Sequence, residues 1–146
     1  MEDALVFNHS KVYYIEFMTM GKKALFINNN AAHAAITGPL NGADFTIDAA
    51  PDMATGLKQL ETQDYDIAVV MENNGAESWQ LCEKIRSLTN IPLIVVSANT
   101  SPEACARAIY AGADYFMRKP FGPREFLARV NSLLQRPSIR QAVPIG

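Results

Sequence analysis

The chain predicts an α/β fold, a three-layer sandwich in which helices cover both faces of a five-stranded parallel sheet. Three observations point there. Short apolar runs alternate five times with stretches of helical periodicity, which implies parallel strands joined by right-handed crossovers. Three of the runs are nearly continuous in apolar residues, as strands buried on both faces must be. The polar–apolar alternation of a half-wet antiparallel sheet is missing. With 146 residues, 49% hydrophobic and 19% charged, the chain is most simply one domain with its own core.

The elements follow in order. ALFIN, Ala24 to Asn28, is the first strand, and it runs into three consecutive amides, Asn28, Asn29 and Asn30. An amide matches a carboxylate in size but carries no charge. Such a strand end either never had chemistry or is a metal site with its charge removed. The next segment, AAHAAITGPLNGA, carries Gly38-Pro39 and Gly42, so its helix is expected to be short or broken near Thr37. FTIDA, Phe45 to Ala49, is the second strand, and Pro51-Asp52 opens a helix over Met53, Leu57 and Leu60.

DIAVVM, Asp66 to Met71, is the third strand. The helix after it, ESWQLCEKIRSL, places Trp79, Cys82, Ile85 and Leu88 three apart, with Glu83, Lys84 and Arg86 turned away. IPLIVVS, Ile91 to Ser97, is the fourth strand. In SPEACARAIYAGA, Ser101 reads as an N-cap, Pro102 as the first helical residue and Gly112 as the stop. YFMRK, Tyr115 to Lys119, is the fifth strand. PREFLARVNSLLQR then sets Phe126, Leu127, Val130, Leu133 and Leu134 on one stripe.

Two flanks stand outside this alternation. Residues 1–21 hold ALVF and KVYYIEF on either side of NHS, with Phe7, Tyr13, Tyr14 and Phe17, and read as an arm. It is expected to form an extra strand or hairpin on its own domain in preference to swapping onto a partner. Residues 136–146, RPSIRQAVPIG, lose periodicity, contain two prolines and read as a linker. The domain proper is therefore 22–135.

Composition narrows the function classes. A formal charge of −2 offers no basic field for nucleic acid. No apolar run approaches the ~20 residues needed to span a bilayer, and the acidic start is no signal peptide. Cys82 and Cys105 have no CxxC spacing, which favours a reduced, cytoplasmic protein over a disulfide or zinc site. Asn8-His9-Ser10 fits a glycosylation acceptor only by accident without secretion. His9 and His33 sit in no metal-binding or catalytic set, and Trp79 reads as core, not as a cofactor platform.

Chemistry in parallel sheets collects at the carboxyl ends of the strands. Here those ends offer Asn28 and Asn29, then Met71, then Ser97, then Lys119. The block IPLIVVSANTSPEACARAIYAGADYFMRKPFGPREFLARVNSLLQR closely resembles the second half of response-regulator receiver domains. Its Ser-Ala step, its AGADYFMRKPF run and its PREFLARV helix all stand at that family's spacing. With DYDIAVV and LCEKIR, the resemblance covers about Lys22 to Gln135. It implies a flavodoxin/CheY-like sheet of strand order 2-1-3-4-5.

In such receivers an acidic pair after the first strand holds Mg²⁺ and an aspartate ending the third strand accepts a phosphoryl group. Carried over by position, Asn28 and Asn29 replace the acidic pair and Met71 replaces the acceptor. Ser97 and Lys119 match the residues that contact the phosphate, with Pro120 following. Phe116 matches the aromatic that changes rotamer on activation. A thioether has no nucleophilic oxygen to offer, and magnesium is bound through one or two carboxylates. The resemblance therefore implies a degenerate phosphorylation pocket that uses neither a metal nor another cofactor. Met71 is then expected to be a core plug, Ser97 to cap the sheet end, and Lys119 to bond the nearby amides or backbone carbonyls. Glu72, next to Met71, is expected to face the other way, and Asn30 adds no charge.

The ending GPREFLARVNSLLQRP resembles the receivers that precede a winged-helix DNA-binding domain in the OmpR/PhoB class. In that class the fourth helix, fifth strand and fifth helix form a symmetric dimer. The matching surface here is Glu103, Arg107, Asp114, Arg118, Arg124 and Arg129, made more apolar by Tyr110 and Tyr115. The expectation is an atypical receiver that is not an enzyme and acts without phosphorylation as a homodimerising or ligand-sensing module of a transcriptional regulator. DNA would be bound only through a domain absent from this chain. The alternatives are a conventional phosphorelay receiver using a displaced carboxylate such as Glu72, or a small flavodoxin-like ligand-binding protein. The last would need a phosphate loop that NNNAAHAAITG does not supply.

Overall fold

Five short strands and four helices make up the part of the chain that the computed structural model describes, namely residues 21–27, 45–72, 78–98, 101–119 and 121–135. The arm expected over 1–21 (but for Gly21), the helix expected after the first strand and the linker at 136–146 lie outside the described residues. In chain order the elements are β1 (Lys23–Ile27), β2 (Thr46–Ala50), α1 (Met53–Thr62), β3 (Ile67–Glu72) and α2 (Ser78–Leu88). They continue with β4 (Leu93–Ser97), α3 (Pro102–Ala111), β5 (Tyr115–Arg118) and α4 (Pro123–Gln135). All pairings are parallel and the sheet order is β2-β1-β3-β4-β5, the order that the resemblance implies.

Every residue of β3 and β4 is buried, which is why both read as continuous apolar runs. Side chains alternate across the sheet and divide the core in two. On one face Phe26, Val69, Met71, Val96 and Met117 pack against Phe126, Val130 and Leu133 of α4. On the other, Ile27, Val70, Val95 and Phe116 pack against α1, against Leu81, Cys82 and Ile85 of α2, and against Ala108 of α3. The aromatic ring of Phe126 sits within 6.2 Å of Phe26 and 5.9 Å of Phe121, closing the α4 side.

Local signals set the helix ends. Asp52 caps α1 by accepting the Thr55 N–H at 2.8 Å, and that bond holds its carboxyl below the usual carboxylate range. Ser101 caps α3 by accepting the Ala104 N–H, Pro102 takes the first helical position, and Gly112 ends the helix at φ 124°. Glycine is required there because a Cβ would stand 2.3 Å from Cγ of Arg86.

Two expectations for α2 are corrected. Leu88 is 40% exposed and not in the core, while Leu81 takes an inward place. A three-residue step falls short of the 3.6-residue turn, so over three steps Leu88 rotates about half a turn away from Trp79. Arg86, expected to turn outward, is half-buried and holds the chain together below α2 and α3, as described next. On α4, Asn131 is buried beside the expected apolar stripe.

Candidate functional site

The carboxyl ends of β3, β4 and β5 bring Met71, Glu72, Ser97, Arg118 and Lys119 to one edge of the sheet. Met71 pairs with Val96, which pairs with Met117, while Glu72 pairs with Ser97, which pairs with Arg118. Neighbouring rungs face opposite sides. Met71 is 1% exposed and lies in the apolar cluster under α4. Glu72, at 7% exposed, and Ser97, at 1%, fall on the side of α2 and α3. Val70, two residues before Glu72, and Val95, two before Ser97, belong to the cluster on that side. The carboxylate nearest in sequence to Met71 is thus directed away from it.

Lys119 follows β5, is half-buried, and donates its backbone N–H to the Ser97 carbonyl oxygen at 2.9 Å. This bond fixes the lysine beside the end of β4. Phe116 is 5% exposed and packs among the residues of the α2–α3 cluster, two positions before Arg118, whose guanidinium lies over its ring at 5.5 Å. Asn28 and Asn29 lie outside the described residues. The described strand-end groups near the family's pocket are the Ser97 hydroxyl, the Lys119 ammonium, the buried Met71 thioether and one carboxylate, that of Glu72, on the opposite side of the sheet from Met71.

The six side chains expected on a dimer surface are placed differently from one another. Glu103, Arg118 and Arg124 are exposed, and Arg129 is half-buried. Arg107, although exposed, is directed toward α2, where its guanidinium stacks over Trp79 at 5.5 Å. Asp114 is engaged within the chain and presents no free carboxylate. It receives Arg86 Nη2 at 2.6 Å and the Leu93 N–H at 2.8 Å. Arg86 also donates to the carbonyls of Gly112, Ile91 and Thr89, joining the end of α2, the entry to β4 and the turn before β5. The sequence held one hint of this, a basic residue in the last turn of a helix, where carbonyls lack partners.

A doubly wound parallel sheet with a lysine and a serine at the ends of neighbouring strands defines a receiver-type signalling domain. A family model for the response regulator receiver domain matches residues 28–131, and the chain belongs to this family. It is a signalling module and not an enzyme. The chain is 32% identical over 104 residues to the transcriptional activator protein IrlR of Burkholderia pseudomallei, covering 70% of this chain and 45% of that protein. It is 34% identical over 90 residues to the heme response regulator HssR of Staphylococcus aureus, covering 61% of this chain and 40% of that one. The chain thus spans less than half the length of these relatives. Among solved structures, a two-component response regulator from Clostridium difficile superposes with a TM-score of 0.73 at 23% identity, covering 79% of this chain and 97% of that one. That likeness concerns the fold. No helix among the described residues is long and apolar enough to cross a membrane.

Proposed function

We propose that this chain is an atypical receiver of a transcriptional regulator that works without phosphorylation, as a homodimerising module in the cytoplasm. The observation that carries this reading is Met71. It stands near the end of β3, where the family's acceptor aspartate belongs, and it is 1% exposed within the apolar cluster under α4. A thioether cannot attack phosphorus to give an acyl phosphate. Glu72 supplies one carboxylate among the described strand-end residues, on the opposite side of the sheet from Met71, and Asn28 and Asn29 supply amides where the family has its acidic pair. Phosphoryl transfer needs both parts.

The inward Phe116 supports the same reading. Its ring is 5% exposed in the same buried cluster as Val70, Val95 and Ala108, a place that apolar burial favours without any phosphate. The balance between conformations then rests on sequence, on a partner, or on a small ligand with different affinity for each state. We assign DNA binding to a further domain, in keeping with the chain's covering only 45% of the transcriptional activator that it matches.

The test is direct. The protein is incubated with acetyl phosphate and Mg²⁺ and its intact mass is measured; no phosphoryl adduct is expected. An adduct, wherever it maps, would overturn the reading. Glu72 would be the first place to look, but its side of the sheet argues against it.

A further inference from the structure

The described sheet has two outer strands, β2 and β5, and they are finished differently. β5 carries the exposed Arg118 and the Tyr115 ring, over which the Arg129 guanidinium lies at 4.0 Å, so charge guards its outer side. β2 reads Thr46-Ile47-Asp48-Ala49-Ala50 and holds no lysine, arginine or proline. Its one charge, the Asp48 carboxylate, is engaged on the α1 face, where it accepts the Tyr65 hydroxyl at 2.5 Å and lies 3.8 Å from Lys23 Nζ. Thr46 donates its N–H to the Lys22 carbonyl oxygen beside β1. By the two-residue period of a strand, Ile47 and Ala49 therefore direct their N–H and C=O groups outward, where no described strand lies. Ala49 is exposed, and Ile47 is half-buried against the apolar cluster under α4. An open edge without a charged guard is a template for a further strand.

We propose that residues 11–17 of this chain's own arm, KVYYIEF, add to the outer side of β2 as an antiparallel strand. The chain enters β1 through Gly21, whose φ of 73° lies in the left-handed region and permits a sharp turn. From there the outer side of β2 is two strand spacings away, about 10 Å, which the three residues Met18-Thr19-Met20 can span. The outer side of β5 is four spacings away, about 19 Å, and reaching it would draw about six residues out of the arm. Because the arm must finish at the amino end of β1, it runs down the edge of β2 against that strand's own direction. KVYYIEF is rich in β-branched and aromatic residues, and its two alternating side-chain sets differ. Tyr13, Ile15 and Phe17 form an apolar set suited to the face that holds Phe45 and Ile47. Val12, Tyr14 and Glu16 form a mixed set suited to the face that holds Asp48, Tyr65 and Lys23.

Amide hydrogen exchange on the chain Met1–Gly146, read by mass spectrometry, tests this. Segment 11–17 and the outward amides of Ile47 and Ala49 are expected to exchange at least about tenfold more slowly than unpaired amides. Removing residues 1–17 should speed the Ile47 and Ala49 amides by about tenfold or more and leave segment 67–72, inside the sheet, within about twofold. Ala49→Pro removes an outward N–H without touching the bonds to β1, so in the full chain it should release segment 11–17. This variant serves if the shortened chain folds poorly. Fast exchange of Ile47 and Ala49 in the full chain overturns the proposal, as does protection of these amides that survives loss of residues 1–17. Protection of segment 11–17 that survives Ala49→Pro overturns it as well. Protection that disappears on dilution from about 100 µM to about 1 µM assigns the edge to the arm of a second copy and overturns pairing within one chain.

Discussion

Arg86 and Asp114 meet at 2.6 Å, from the last turn of α2 to the residue before β5, with side chains only 12% and 19% exposed. The same carboxylate oxygen accepts the Leu93 N–H, and the same guanidinium serves three backbone carbonyls. Removing the cation strands the carboxylate in a poorly solvated place. Arg86→Met is expected to lower stability by about 3 kcal/mol, read as a lower urea midpoint. Gly112→Ala should act through the same spot, since it forces a Cβ into the Arg86 stem at φ 124°. A midpoint unchanged by both substitutions would show that the pair is ornamental.

Met71 makes a second test. Met71→Asp alone puts a charge into an apolar cluster and should destabilise the domain by at least about 2 kcal/mol. It should gain no phosphoryl group from acetyl phosphate, because the acidic pair is still missing. Combined with Asn28→Asp and Asn29→Asp, it should become a substrate, with Ser97 and Lys119 already in place. Intact mass in the presence and absence of Mg²⁺ separates these outcomes. Failure of the triple variant to accept phosphate, while still folded, would mean that the pocket differs from the family in more than these three side chains.

Cys82 is fully buried, and burial pushes its thiol up to about 12. The nearby Arg86 guanidinium opposes this, while the carboxylates of Glu72, Asp114 and Glu83 add to it. The native thiol should resist iodoacetamide at pH 8 and react on unfolding. The linkage has a definite sign. The folded state keeps the proton above the unfolded value of 9.0, so stability from this group is complete below pH 9 and is lost as pH rises toward 12. Urea midpoints across pH 8–11, wild type against Cys82→Ala, would expose that slope. Equal slopes in the two proteins would remove Cys82 as its source.

Gly56 lies in the middle of α1, where alanine usually favours the helix by about 1 kcal/mol. Here the new Cβ would stand 2.8 Å from both Cδ1 and Cγ1 of Ile27, a side chain with no exposed surface. The close approach of α1 to β1 should outweigh the propensity gain. Gly56→Ala is expected to be destabilising by about 1–2 kcal/mol in thermal or urea unfolding. A more stable variant would show that Ile27 has room to move.

The strand runs, the caps at Asp52 and Ser101, the stop at Gly112 and the polar strand ends were all legible in the chain. They depend on neighbours in sequence: periodicity, capping chemistry and the backbone freedom of glycine act within a few residues. The methionine at position 71 and the amides at 28 and 29 can likewise be read from the chain, and the degenerate pocket that we propose is built on them. Arg86 was not legible, since a basic residue in a last helical turn is usually solvated, and the four acceptors described for it come from two separate stretches of chain, 89–91 and 112–114. The exposure of Leu88 follows from a drift of helical phase that the 3.6-residue turn already dictates, which the three-residue spacing misread. Which side of the sheet receives Glu72, and which ring receives Arg129, was decided when α2 and α4 took their places on opposite faces of the sheet. Electrostatic partners 14 to 28 residues apart are chosen by that arrangement, and local sequence has no means of stating it.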